Sequence, residues 1–159
     1  MAVFLISVAV MPAAAAVVEQ SETYYVADYA GVLSPTLETN IIKANGDLEY
    51  YCNGAQLVVV AVEYLDGMYS DEYALQLFND WGVGGGSTED RNNGMLLLLA
   101  TGEKKAWLTV GAGISNVMTT DVIDRYFDKY FWEDFDKGNY DTAVEAMVSA
   151  LFGWYAEYY

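Results

Sequence analysis

The sequence predicts an α/β protein in which a mixed central β-sheet is sandwiched between α-helices. Two observations lead to this prediction. The first is a pair of strand-like runs, at 56–62, which is apolar after Gln56, and at 95–100, which is apolar throughout; the second is the amphipathic helical patterns between and after them. A strand that is apolar at every position needs cover on both faces, and amphipathic helices can supply that cover. We expect the element order β-α-β-α-β-β-α-α.

The first half of the chain is predicted to form the β-α-β-α part. A short β-prone run at 24–26 precedes Asp28, and Ser34 and Pro35 then supply a helix N-cap and a first helical residue. The apolar stripe expected on this first helix consists of Leu37, Ile41, Ala44, Leu48 and Tyr51. The strand at 56–62 follows, and Ser70 is expected to cap a second helix.

The second half is predicted to place a polar cleft at one edge of the sheet. If strands 95–100 and 106–110 form a hairpin, residues 92–94 meet residues 111–113, and the loop 82–94 and the start of the third helix arrive there too. The polar residues of this cleft would be Glu89, Asp90, Arg91, Asn92, Asn93, Asp121 and Asp124. Alternatively, the glycines serve only as turns and the two asparagines cap the strand entry. We expect a positive φ at Gly94 and at Gly113.

The charge of the chain restricts its partners. Seven basic residues against 23 acidic ones give a formal net charge of -16, which repels nucleic acid and favours cations. Hard divalent cations prefer carboxylate oxygens, although the charge could also serve solubility alone. The sequence has no histidine, which excludes histidine-based triads and histidine zinc sites. Cys52 is alone and is expected to be a buried, inert thiol.

Residues 1–16 differ from the rest of the chain. An apolar run leads to Pro12 and four alanines, which is typical of a signal-peptide h-region with a cleavage site after Ala16. The alternative is a buried hydrophobic helix, because no basic residue precedes the run. We therefore expect an exported protein, with 1–16 as the remnant of a signal peptide and 17–159 as a single domain.

Five blocks of the sequence, taken in order, resemble the TPM domain, which is named for the thylakoid lumen, photosystem II-associated and nematode receptor-auxiliary proteins that share it. The blocks are Val26 to Ser34 with Asp28 inside it, Gln56 to Val60, Trp81 to Gly84, Asn92 to Leu99, and Gly111 to Ile114. The resemblance runs from about Tyr25 to Leu151.

The resemblance implies an α/β/α sandwich on the outer side of a membrane. Members of the family often carry a signal peptide, and many add a transmembrane helix and a glycine-rich tail. This sequence stops at Tyr159 with neither of the last two, so we expect either a soluble version or a chain that is cut short. Calcium has been seen in family structures, and a plant member has been assigned acid phosphatase activity. Because Asp28 and Asn93 match family motifs, they are the first choices for a calcium or other divalent-cation site, with Asp90 and Asp124 as further candidate ligands.

Two hypotheses about function follow. The first is a cation-binding interaction or scaffold module of the cell envelope, which supports a membrane-associated assembly through an unidentified envelope or membrane protein. The second is a metal-dependent acid phosphatase, in which Asp28 would be a metal ligand or nucleophile and Arg91 would bind phosphate. The charge of -16 favours the first, since it repels phosphate unless a metal neutralises the site.

Overall fold

Within residues 17–85 and 92–159, which the computed structural model describes, four strands form one sheet in the order β1-β2-β3-β4. The strands are β1 (Val26–Asp28), β2 (Leu57–Val62), β3 (Met95–Ala100) and β4 (Lys105–Val110). The first three are parallel, and β4 is antiparallel to β3. The predicted mixed sheet with its hairpin is therefore confirmed.

Five helices complete this described part of the chain. They are α1 (Pro35–Tyr51), α2 (Ser70–Asp80), α3 (Thr120–Tyr130), α4 (Trp132–Asp136) and α5 (Tyr140–Tyr158). The expected order is correct except that α4 lies between the third helix and the last. Five residues are too few to show a helical period, but Phe131 and Phe135 stack with their ring centroids 4.8 Å apart and are buried.

The helices cover both faces of the sheet unequally. On one face, Val59 and Leu97 belong to a cluster that includes the buried residues of α1, α3, α4 and α5. On the other face, Val58 and Leu96 pack with the buried residues of α2 alone among the helices. Strands that are buried at every position explain why the apolar runs are continuous rather than alternating.

The buried stripe of α1 differs from the predicted one. Tyr51 is 71% exposed, whereas Asn45 is fully buried. The Asn45 amide nitrogen donates to the carbonyls of Ile41 at 3.0 Å and Leu57 at 2.9 Å, and its oxygen accepts from the Leu57 amide at 2.8 Å. These bonds tie the helix to the start of β2 and satisfy the buried amide, which an apolar-period argument cannot foresee.

The two crossover helices lie on opposite faces of the sheet. Both the β1-α1-β2 and the β2-α2-β3 connection move one strand in the same direction. Two right-handed crossovers would place α1 and α2 on the same face, so one of the two is left-handed, which is uncommon. None of the helices in the described residues is both long and apolar enough to span a bilayer.

Candidate functional site

Asp28 lies at the carboxyl end of β1, where the chain leaves the sheet. Its neighbours Tyr29 and Ala30 both donate their amides to the carbonyl of Ala61, at 2.8 and 3.1 Å. Gly31, with φ of +65°, then turns the chain so that the amide of Leu33 returns to Asp28 Oδ2 at 2.8 Å. The other carboxylate oxygen, Oδ1, is buried and has no hydrogen-bond partner among the described residues.

A second carboxylate binds the same turn. Asp141, in the first turn of α5, accepts the amide hydrogen of Ser34 on Oδ1 at 2.5 Å. Asp28 and Asp141 thus bind the amides of consecutive residues and flank one turn. An open depression of about 390 Å³ adjoins this turn, and it is lined by Val32 and by residues 138–142 around the start of α5, which include Asp141. Sequence reasoning missed Asp141, although an acidic residue in the first turn of a helix is a recognisable signal.

Asn93 lies at the opposite end of the sheet, just before β3. It is 1% exposed, and its amide nitrogen donates to Tyr159 Oη at 2.8 Å and to the carbonyl of Cys52 at 3.3 Å. The backbone carbonyl of Asn93 accepts a hydrogen bond from Tyr155 Oη at 2.6 Å. Because the partners of the side chain accept hydrogen bonds, the nitrogen must face them, which leaves Oδ1 buried without a partner in the described part of the chain.

The strand register separates Asp28 from Asn93. Asp28 pairs with Ala61, which pairs with Leu99 on β3, six residues beyond Asn93. At about 3.3 Å per residue, the two lie roughly 20 Å apart along the strand direction. One ion cannot contact both, so the sequence argument was wrong to combine them in a single cation site.

Of the other two predicted ligands, only Asp124 falls within the described residues. Asp124 lies on α3 and lines a groove beside the middle of β4. Asp90 and Arg91 fall outside the described residues, as do Glu89 and the predicted signal segment at 1–16. In the described ranges, no three His, Cys, Asp or Glu side chains are grouped so that they could hold a metal ion.

The predicted meeting of two loops at the Asn93 end is confirmed. The amide of Gly111 donates to the carbonyl of Gly94 at 2.8 Å, and the amide of Gly113 donates to the carbonyl of Asn92 at 2.9 Å. Neither Gly94 nor Gly113 has a positive φ, so that expectation was wrong. Gly94 is instead needed for close approach, because a Cβ there would lie 2.6 Å from the backbone nitrogen of Gly84.

Cys52 is buried, as expected, with 5% of its surface exposed. Burial, and secondarily the carboxylate of Asp47, raise the pKa of its thiol. Its Sγ lies 3.8 Å from the carbonyl of Tyr155, to which it donates. A protonated, enclosed thiol is a poor nucleophile, so Cys52 has a packing role.

Comparison with solved structures identifies the same fold in three bacterial proteins. The N-terminal domain of a P. gingivalis protein has 24% identity and a TM-score of 0.71, over 82% of this chain and 81% of that one. The N-terminal domain of a Corynebacterium glutamicum protein has 20% identity and a TM-score of 0.60, over 87% and 86%. The BA42 protein of the psychrophilic bacterium Bizionia argentinensis has 20% identity and a TM-score of 0.63, over 83% and 87%.

At these identities the solved structures establish the fold alone. Comparison with curated proteins gave no significant match. The sequence model of the TPM domain, however, matches residues 26–153, which is well over half of the chain. That range includes every strand and all of the helices described above except the last residues of α5. The chain therefore belongs to the TPM domain family.

Proposed function

We propose that this protein is an exported interaction domain of the cell envelope that binds a divalent cation at Asp28 and supports a membrane-associated assembly. The observation that carries the cation proposal is the buried oxygen of Asp28 that has no hydrogen-bond partner among the described residues. A carboxylate oxygen removed from water without a donor is costly, and a bound cation would offset that cost.

The surroundings of Asp28 support a hard cation. The formal charge of -16 raises the local concentration of cations around the whole molecule. Asp141 adds a second carboxylate at the same turn, with one of its oxygens engaged by Ser34. Because no third acidic side chain joins them in the described residues, backbone carbonyls and water would complete the shell, as is common for calcium.

A calcium titration monitored by ¹H–¹⁵N NMR tests the proposal. We expect calcium to shift the amides of Leu33 and Ser34, whose acceptors are the two carboxylates. The variant Asp28→Asn should lose this response, whereas Asp71→Asn, an exposed change of the same charge on α2, should keep it. If the amide chemical shifts of residues 28–34 do not change in millimolar calcium, the cation proposal is wrong.

The same samples address the phosphatase alternative. Of its two proposed residues, only Asp28 falls within the described part of the chain, and we expect wild-type protein to turn over an aryl phosphate little or not at all. Vigorous hydrolysis that disappears with a chelator and with Asp28→Asn would establish the alternative instead. Vigorous hydrolysis that resists the chelator would contradict both mechanisms.

Export has its own test. The run that ends in four alanines predicts cleavage after Ala16. N-terminal sequencing of the protein from its native cells should therefore begin at Val17. Retention of Met1 on protein recovered from the cells would contradict export by cleavage.

A further inference from the structure

The outer edge of β4 is unpaired in the described part of the chain. β4 bonds to β3 on one side, and no described strand lies on the other. The bond from the Gly111 amide to the Gly94 carbonyl sets the pattern of this antiparallel pair. Hydrogen-bonded and non-bonded pairs alternate along an antiparallel ladder, so every second residue back from Gly111 bonds to β3. The residues between them, Ala106, Leu108 and Val110, therefore direct their backbone amides and carbonyls away from β3.

This edge lacks the features that usually prevent strand addition. Its register with β3 runs from Lys105 to Val110 without a bulge, and it contains no proline. A lysine does stand at its first position, but Lys105 is held by Glu103 at 2.8 Å, at the hairpin end of the strand. Residues 106–110 therefore offer a regular edge to an incoming strand.

A groove runs beside this edge, between β4 and α3. Its volume is about 430 Å³. Leu108 and Phe127 line it with 4% and 6% of their surfaces exposed, and Ile123 and Trp132 extend the apolar lining. A strand added to β4 would direct every second side chain into this space.

The charged residues that line the groove are both acidic. Asp124 and Asp128 lie four residues apart on α3, so they share one side of the helix. The net charge of -16 adds a field of the same sign. An occupant of this groove must therefore be apolar where it faces Leu108 and Phe127 and basic where it reaches Asp124 and Asp128.

We propose that the β4–α3 groove binds an extended segment of a partner protein, with alternating groove-facing side chains that are apolar at the centre and basic at the ends, as a fifth strand on β4. This inference names the surface and the partner chemistry of the interaction module proposed above, and it rests on that part of the proposed function. It does not depend on the cation, because Asp28 is on β1, at the other edge of the sheet. Backbone hydrogen bonds would provide the affinity, and the acidic pair would select basic segments.

The test is an NMR titration in a chelator with the capped peptide Lys-Ser-Val-Thr-Val-Ser-Lys. Strand addition should shift the outward amides of Ala106, Leu108 and Val110 downfield. The inward amides of Trp107 and Thr109, which already bond to β3, should move less. This contrast within one strand separates strand addition from nonspecific binding to an acidic surface. Equal shifts along the strand, or none at millimolar peptide, would overturn the proposal.

Paired variants test the charge selection. Asp124→Asn combined with Asp128→Asn should raise the Kd about three- to tenfold, since two exposed charge contacts are lost. Asp71→Asn combined with Glu72→Gln removes the same charge from exposed positions on α2, which packs on the other face of the sheet, and should change the Kd less than about twofold. Equal effects of the two pairs of substitutions would show that the peptide is attracted by net charge alone, and would refute its binding in the β4–α3 groove.

Two further outcomes are decisive. A peptide with glutamates in place of both lysines should not bind, and binding of that peptide would refute the partner chemistry. Concentration-dependent shifts of the same β4 amides without peptide would show that a second copy of this chain occupies the edge, which also refutes a basic partner. Because the peptide titration contains no calcium, a failure to bind the peptide would not affect the calcium response at Asp28. Equally, a missing calcium response would not affect the peptide result.

Discussion

The two ends of the sheet each hold a buried side-chain oxygen without a hydrogen-bond partner among the described residues, but they differ in what surrounds it. At the β3 entry, Asn93 donates to Tyr159 and to Cys52, and its backbone carbonyl accepts from Tyr155. At the β1 exit, Asp28 accepts one hydrogen bond, from Leu33, on the turn that precedes α1.

This difference fits a structural role for Asn93 and the cation-binding role that we propose for Asp28. The bonds of Asn93 join the end of α1 and the end of α5 to the start of β3, so its amide is used in holding the fold together. The carboxylate of Asp28 accepts from Leu33 on one oxygen, and its other oxygen is buried with no hydrogen-bond partner in the described part of the chain. Buried polar networks with most partners satisfied specify structure, whereas an unsatisfied buried charged group requires an explanation, and a bound cation is the one we propose.

The largest expected effect tests the close packing at the Asn93 end. Gly94→Val should destabilise the protein by about 3–5 kcal/mol, because overpacking against backbone cannot be relieved by a side-chain rotation. A Cβ at Gly94 would already lie 2.6 Å from Gly84 N and 2.8 Å from Gly84 Cα. Chemical denaturation measures the loss. Gly46→Val, at an exposed helix position with open space around its Cα, is the control and should cost far less.

The second effect tests the structural role of Asn93. Asn93→Ala should cost about 1–2 kcal/mol, because it removes the amide that donates to the Tyr159 hydroxyl and to the Cys52 carbonyl. The Cys52 carbonyl keeps the Ala55 amide as a donor at 3.0 Å, which limits the loss. Asn40→Ala, an exposed change on α1, should stay within about 0.5 kcal/mol. If both variants unfold at the same denaturant concentration as wild type, the Asn93 bonds do not stabilise the fold.

A third, smaller effect tests the opposite role of Asp28. In the presence of a chelator, Asp28→Asn should change stability by no more than about 1 kcal/mol, because the amide oxygen can still accept from Leu33 while the buried charge is gone. Calcium should raise the melting temperature of wild type and leave that of Asp28→Asn unchanged. A large loss of stability without calcium would show that Asp28, like Asn93, has a structural role.

The smallest effect concerns Glu103, a satisfied carboxylate at the same sheet end as Asp28. The Lys105 ammonium, and then the Leu65 amide at 2.7 Å, hold the pKa of the Glu103 carboxyl below its usual 4.5. A lowered folded-state pKa stabilises the protein above pH 4.5, and that contribution is lost as the pH falls through the folded value.

Glu103→Gln should therefore lower the melting temperature slightly at pH 7, and the difference from wild type should shrink at pH 3. Thermal unfolding at the two pH values measures it. A difference that grows on acidification would show that Glu103 does not stabilise the fold as a carboxylate.

Much of the fold was predictable because its signals are local. The run at 56–62 is apolar at every position after Gln56, and the run at 95–100 is apolar throughout. They form the two central strands, with observed bounds of 57–62 and 95–100. Ser34 and Pro35 start α1 as predicted, and the Ser34 hydroxyl accepts from the Leu37 amide at 3.2 Å. Five ordered blocks sufficed to place the chain in its family, which the match over 26–153 confirms.

The candidate site was predicted less well, because its residues meet only through the sheet register and the placement of helices. The match to family motifs put Asp28 and Asn93 in one candidate cation site, but the parallel pairing of β1, β2 and β3 places them at opposite ends of the sheet. Asp141 is more than a hundred residues from Ser34 in the chain, so no local pattern connects the two.

The sequence by itself determined the α/β class, the strands, most helix limits and the acidic character, since each depends on residue type and short-range periodicity. Only the tertiary structure decided which polar groups are neighbours. It placed α1 and α2 on opposite faces, and among the described residues it left the outer edge of β4 unpaired beside α3. It also put Asn93 in a hydrogen-bond network and Asp28 at a turn. Such contacts join segments far apart in the chain, and residue spacing alone carries no information about them.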